Sequence, residues 1–96
     1  MIIAAQRGFI STIKCLLDYG ADPNLRDDLQ ATAIMRAAAE GQLESVRTLV
    51  EYGGADWTCA TMGGLNARKW AQSKHNDDVV ELLDEFDSLW ADDGES

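Results

Sequence analysis

The residues able to do chemistry are few. His75 is the one histidine, so a Ser/His/Asp or Cys/His nucleophile system would have to run through it. It sits between two helical patterns, where the preceding segment carries Gly41, and reads as a surface residue that tolerates a helix-ending conformation. Zinc needs three or four clustered Cys or His ligands, and one histidine with the distant Cys15 and Cys59 supplies no such cluster. Asp27-Asp28 and Asp92-Asp93-Gly94 lack the alternating spacing of a calcium loop. Gly63-Gly64 belongs to neither GxGxxG nor GxxxxGK, so no phosphate cradle is encoded. Cys15 lies on an apolar helical stripe and is expected in the core. Cys59 lies in a loop with nothing basic beside it in sequence to lower its pKa. The chain therefore reads as non-enzymatic, with no cofactor and no metal.

Charge narrows the partners. The 96 residues carry a formal net charge of −9. Up to Asn76 acids and bases balance, and the excess lies in Asp77, Asp78, Glu81, Asp84, Glu85, Asp87, Asp92, Asp93 and Glu95. An acidic end repels phosphate, which argues against nucleic acid or an anionic membrane as the main partner. No apolar run is long enough to span a bilayer. The opening MIIAA has no basic leader and too short an apolar core for a signal peptide. Two cysteines make no disulfide framework, which favours a reducing, intracellular compartment, cytoplasmic or nuclear.

The elements that would position any site are written twice. AAQRGFISTIKCLLDYG (4–20) is echoed by AAAEGQLESVRTLVEYG (37–53), a period of about 33 residues. Ala4 pairs with Ala37, Gly8 with Gly41, Leu16 with Leu49 and Gly20 with Gly53, with conservative changes between. A worn third copy aligns when Gly54 is treated as an insertion: Arg36-Ala37 then matches Trp70-Ala71, Val46 matches Val80 and Leu49 matches Leu83. Each copy reads as two short helices and a turn. Thr32 can cap a helix through its hydroxyl, and the alanine-rich 33–40 segment favours that helix. Gly41 ends it, and Leu43, Val46, Leu49 and Val50 then form one apolar stripe closed by Gly53. Asp22-Pro23-Asn24 adds turn-formers after Gly20.

TAIMRAA (32–38), Gly41, LESVRTLV (43–50) and GADPN (20–24) together resemble the ankyrin repeat, over almost the whole chain to about Asp87. The resemblance implies an all-α fold, an ankyrin-type α-solenoid of stacked helix-turn-helix repeats with β-turn tips. The expected division is a truncated first repeat over 1–26, a second repeat with the insertion over 27–60, a degenerate capping repeat with an extended helix over 61–91, and an acidic tail over 92–96. Some positions depart from the family pattern. Ala33 and Ala67 stand for its proline, and Met35 and Lys69 for its histidine, so the hydrogen bonds of that histidine are lost. The first copy lacks its Thr-Pro start and opens on Ile2-Ile3, which are no polar cap. The chain is expected to be a fragment of a longer array, the alternative being another cover for that end.

Proteins of this family bind other proteins on a concave face built from turn tips and first helices. The resemblance therefore implies a protein partner and a role as scaffold, adaptor or inhibitor. The candidate residues are Arg26, Asp28, Leu29 and Gln30 on the first tip and Met62 and Leu65 on the second. Arg36, Glu40 and Lys69 join them from the facing helices, as do Gln6, Ala39 and Ser73. Leu29, Met62 and Leu65 are apolar where plain solvent surface needs none, although single exposed apolar residues are ordinary. Two rival readings stand beside this one. Val79, Leu82, Leu83, Phe86, Leu89 and Trp90 follow helical spacing, so the last helix is a cap or an acidic-aromatic element that docks through Phe86, Leu89 and Trp90. The Ile2/Ile3 end is open to self-association. Trp70 is taken as core, and Trp57, in a turn, as either core or surface. Tyr19, Tyr52 and Phe86 occupy equivalent helix ends and are expected to pack between repeats.

Overall fold

Each period folds as an inner helix followed by an outer one. The computed structural model describes residues 1–61 and 63–91, the side chains of Trp90 and Ala91 excepted. The inner helices are α1 (Ile2–Arg7), α3 (Ala33–Ala39) and α5 (Ala67–Ser73); the outer are α2 (Ile10–Asp18), α4 (Leu43–Glu51) and α6 (Asp77–Ala91). The inner row stacks in the order α1, α3, α5 and the outer row in the order α2, α4, α6. Small residues make the close inner stacking possible: Ala4, Ala5, Ala33, Ala37, Ala38, Ala67 and Ala71 are all buried. Ile13, Val46, Leu49, Val79 and Leu83 supply the apolar stripe of the outer row.

Local chemistry sets the helix ends. Thr32 Oγ1 accepts the Met35 N–H, and the Met35 thioether in turn accepts the Thr32 N–H, each at 3.5 Å. Sulfur thus supplies a weak acceptor where the family pattern has histidine. Asn66 Oδ1 caps α5 by accepting the Lys69 N–H at 2.9 Å. His75 is exposed in the left-handed region, φ 61°, at the end of α5.

A pair of amides ties successive helix pairs together. Asn76 Nδ2 donates to Ala38 O at 2.8 Å and to Ala39 O at 3.0 Å, so the last carbonyls of α3 are capped from the next repeat. Gln42, in the equivalent place one period earlier, donates to Gln6 O at 3.2 Å. The same place before α2 holds Phe9, which is exposed and has no side-chain donor.

The glycine doublet resolves differently from its sequence alignment. Gly54, not Gly53, takes the left-handed role of Gly20, with φ 65° against 89°. Gly20 N–H bonds Leu17 O, and Gly54 N–H bonds Val50 O, the equivalent carbonyl. The extra residue therefore lies in the last turn of α4, at or before Gly53. There a Cβ on Gly53 would come within 2.9 Å of the Leu17 side chain and 3.0 Å of Leu49 O, so the lack of a side chain lets the neighbouring repeat close up.

Burial also corrects the expectation for Cys15, which is exposed. Thr48, one period on, is buried. The difference is neighbours: α4 lies between α2 and α6, whereas α2 has only α4 beside it in the outer row. The Tyr19, Tyr52 and Phe86 series follows the same gradient, from 87% exposed through 50% to 5%. Tyr52 does pack between repeats, its hydroxyl donating to Asp18 and its ring lying under the Lys14 ammonium.

Candidate functional site

The first tip is organised by one carboxylate. Asp27 N–H bonds Ala31 O, and Gln30 N–H bonds Asp27 O, both at 2.9 Å. Asp27 Oδ1 accepts the Leu29 N–H at 2.8 Å and the Ala31 N–H at 3.0 Å. Its other oxygen takes Arg36 Nε at 3.0 Å and Nη2 at 2.8 Å. Desolvation pushes the Asp27 carboxyl up, but the Ala31 bond, the Arg36 bond and charge and the Leu29 bond outweigh it and hold the pKa below its usual value. Gln30 adopts φ 66° to close the turn, and Gly64 holds the matching place in the second tip. That tip repeats the pattern, Thr61 N–H bonding Leu65 O and Gly64 N–H bonding Thr61 O.

Arg36 joins tip to helix. Held by Asp27, its guanidinium lies 5.6 Å from the centroid of the Trp70 ring. Such a contact contributes about 0.5–1 kcal/mol where solvent is near. Trp70 packs on the core yet is only half-buried, so it borders the face rather than belonging wholly to the interior. The match of Arg36-Ala37 with Trp70-Ala71 carries this signal, because equivalent positions on stacked helices must be neighbours. Asp27, Asp28, Leu29 and Arg36 line an open depression of about 390 Å³ beside this stack.

The structure distributes the other candidates unevenly. Leu29 is 67% exposed at the rim, with Asp28 and Gln30 exposed beside it. Arg26 is exposed, but its Nη1 donates to Gln30 O at 3.2 Å and Ala60 O at 2.8 Å, tying the first tip to the second. Leu65 is 43% exposed and occupies the place of the fully buried Ala31, after the turn rather than on its crest. Glu40 is exposed at the end of α3 and Lys69 in the first turn of α5. Met62 lies outside the described residues, as do the Trp90 side chain and the 92–96 tail.

At the far end, Phe86 is buried and Leu89 is 66% exposed. Trp57 roofs this helix: its ring centroid is 5.5 Å from that of Phe86, and its Nε1 donates to Asp87 Oδ1 at 2.7 Å. Arg68 Nε pairs with Asp84 at 2.9 Å and fastens α5 to α6. Cys59 is partly buried. Burial raises its pKa first, then its bond to Asp56 at 3.2 Å, and the nearby Arg26 only partly offsets them. This thiol has no electropositive surroundings sufficient to activate it. Among the described residues, no group of three or more His, Cys, Asp or Glu is arranged to hold a metal ion. No helix among them is long and apolar enough to cross a membrane.

Known proteins share this architecture. The family model described as ankyrin repeats, three copies, matches residues 1–89. The chain is 35% identical over 71 residues to ankyrin repeat domain-containing protein 63 of Homo sapiens, a match covering 74% of this chain and 18% of that protein. It is 30% identical over 72 residues to ankyrin repeat domain-containing protein SAT10 of Stachybotrys chartarum, covering 69% of this chain and 4% of that one. Among solved structures, it superposes with a TM-score of 0.79 and 28% identity on one chain of the complex between the Bd0816 predatory endopeptidase from Bdellovibrio bacteriovorus and the immunity protein Bd3460, covering 88% of this chain and 44% of that chain. This chain thus spans a small part of those curated relatives and less than half of the solved one.

Proposed function

The chain belongs to the ankyrin repeat family, and from that premise we propose that it is a non-catalytic protein-recognition module. The partner sits on the face made by the turn tips and the inner helices. The observation that carries this reading is the Asp27–Arg36–Trp70 arrangement, with the exposed Leu29 lining one depression with Asp27 and Arg36. It presents a rim residue over a floor whose side chains are already held in place, so little ordering entropy is left to lose on binding. The structural neighbour from an endopeptidase–immunity protein complex supports a recognition role for such stacks; scaffold, adaptor or inhibitor is the role proposed. The repeats divide at 1–26, 27–60 and 61–91 in this reading, and the module works in the cytoplasm or nucleus.

A second reading rests on one end of the stack. Ile3 and Leu25 are exposed and, with Met1, Ile2 and Arg26, line an apolar depression of about 390 Å³. Self-association there gives a mass that rises with concentration and falls when Ile3 and Leu25 are made polar.

Affinity capture from a cell lysate tests the main reading with three baits of verified helicity. One is unchanged, one carries D28A, L29A and L65A, and one stops after Asp87. Arg26 is left intact because it ties the tips together. Loss of the captured protein from the tip variant alone supports the proposal. Loss from the shortened bait alone moves the site to the region around Leu89 and overturns it.

A further inference from the structure

The stack separates its charges. The inner helices α1, α3 and α5 contain Arg7, Arg36, Arg68 and Lys69 and not one Asp or Glu. The outer helices contain Asp18, Glu44, Glu51 and the six acids of α6 from Asp77 to Asp87, against Lys14 and Arg47. Among the described helices the negative excess is therefore a property of the outer row. Two of the inner bases are spoken for, Arg36 by Asp27 and Arg68 by Asp84. Arg7, Lys69 and Lys74, the residue after α5, make no ion pair among the described residues, and the Arg26 guanidinium meets two carbonyl oxygens and the Cys59 thiol but no carboxylate ion pair. Asp28 and Glu40 are unpaired acids on this side, and the Asp56 carboxylate, bonded to Thr58 and Cys59, lies near Arg26 and makes a third. Bases thus exceed acids on the face where the tips also expose Leu29.

The two sets of charges meet at one edge, where Asp84 of α6 pairs with Arg68 of α5 at 2.9 Å. Elsewhere salt screens exposed charges separated by more than about 8 Å, so a ligand on the inner face feels chiefly the bases beside it. The geometry points to an acidic polypeptide segment bearing aliphatic side chains, extended across the three inner helices, as the occupant of this face. Its aliphatic groups would cover Leu29 and Leu65, and its carboxylates would meet Arg7, Arg26, Lys69 and Lys74. The exposed leucines favour a peptide over a nucleic acid, whose backbone brings phosphates but no aliphatic groups. This inference rests on the recognition reading given above and specifies the chemistry of the partner.

Fluorescence anisotropy tests it with defined probes on the full chain. The first is a labelled peptide of serine, aspartate and leucine long enough to span α1 to α5. Its counterparts replace aspartate by asparagine or by lysine, and a single-stranded oligonucleotide serves as a polyanion without aliphatic groups. The aspartate peptide is expected to bind roughly tenfold more tightly than the asparagine peptide, the gap closing as salt is raised. The double variant R7E/K69E, with helicity unchanged, is expected to abolish that preference, while E44Q/E51Q on the outer row leaves it intact. Equal binding of all peptides, tighter binding of the lysine peptide, binding of the oligonucleotide as tight as the aspartate peptide, or no binding of any peptide overturns the inference. The two levels separate through L29A/L65A. If those substitutions weaken binding but charge does not matter, the face stands and the acidic partner fails. If neither they nor R7E/K69E matters, the face itself fails.

Discussion

Replacing Asn76 by alanine tests whether the amide tie holds the third helix pair onto the second. Asn76 Nδ2 makes two bonds to carbonyls at the end of α3, at 2.8 Å to Ala38 O, which also accepts the Gly41 N–H at 3.2 Å, and at 3.0 Å to Ala39 O. A net contribution of about 1 kcal/mol for each bond predicts a loss of about 2 kcal/mol. For a domain of this size that lowers Tm by about 8–16 °C. The assay is equilibrium urea unfolding followed by circular dichroism, with thermal melts alongside. Because a repeat stack is stabilised by nearest-neighbour interfaces, weakening one interface should also broaden the transition as the last pair melts first. N76D should be worse than N76A at neutral pH, since its carboxylate faces the same carbonyls with no proton to donate. N24A is the comparison: Asn24 Oδ1 accepts one exposed bond, from Asp56 N–H at 2.9 Å, and its loss should cost no more than about 1 kcal/mol. A loss below about 0.5 kcal/mol for N76A, or an N76D protein as stable as the parent, would refute the reasoning.

Gly41→Ala should cost more than Gly54→Ala in the same urea assay. Both residues sit at similar positive φ, 72° and 65°, and share a strain of about 1–2 kcal/mol, but only at Gly41 does a Cβ meet another group, Asn76 Oδ1 at 3.1 Å. Equal losses would show that the Asn76 contact is loose. A thiol reagent at neutral pH should give two phases, the fast one from exposed Cys15 and removed by C15S, the slow one from Cys59, whose pKa is raised by burial and its bond to Asp56. A single fast phase of two thiols would place Cys59 in the open. The depressed carboxyl of Asp27 contributes stability that is complete above its usual value of 3.8 and is lost as pH falls through the lower folded value. D27N should therefore be less stable than the parent at neutral pH, and the gap should shrink on acidification below that value. A gap that is constant with pH would mean that the tip does not depend on the charge of Asp27.

The repeat itself was legible in the sequence because period and local preference are properties of the chain alone. The match of 4–20 with 37–53 announced paired helices. Thr32 marked the start of α3, and the alanines of 33–40 marked a helix that a neighbour can approach closely. Charge order along the chain was equally readable: the acids after Asn76 follow from composition. What depends on which element lies beside which could not be read there. Cys15 and Thr48 occupy the same place in one pattern, yet one is open and the other covered, because only α4 has an outer helix on both sides. Gly53 and Gly54 are interchangeable as letters. Leu17 of the neighbouring repeat and the bond from Gly54 to Val50 decide which one is the extra residue. Arg26 reads as a free tip charge until Ala60 O, thirty-four residues away, is found to accept from it. Trp70 reads as interior until Arg36, held by Asp27, is seen over its ring. Sequence determined the helix pairs and their order. The tertiary structure alone decided which side chains are covered and which are tied across repeats, because burial, cross-repeat hydrogen bonds and ion pairs belong to neighbours in space rather than along the chain.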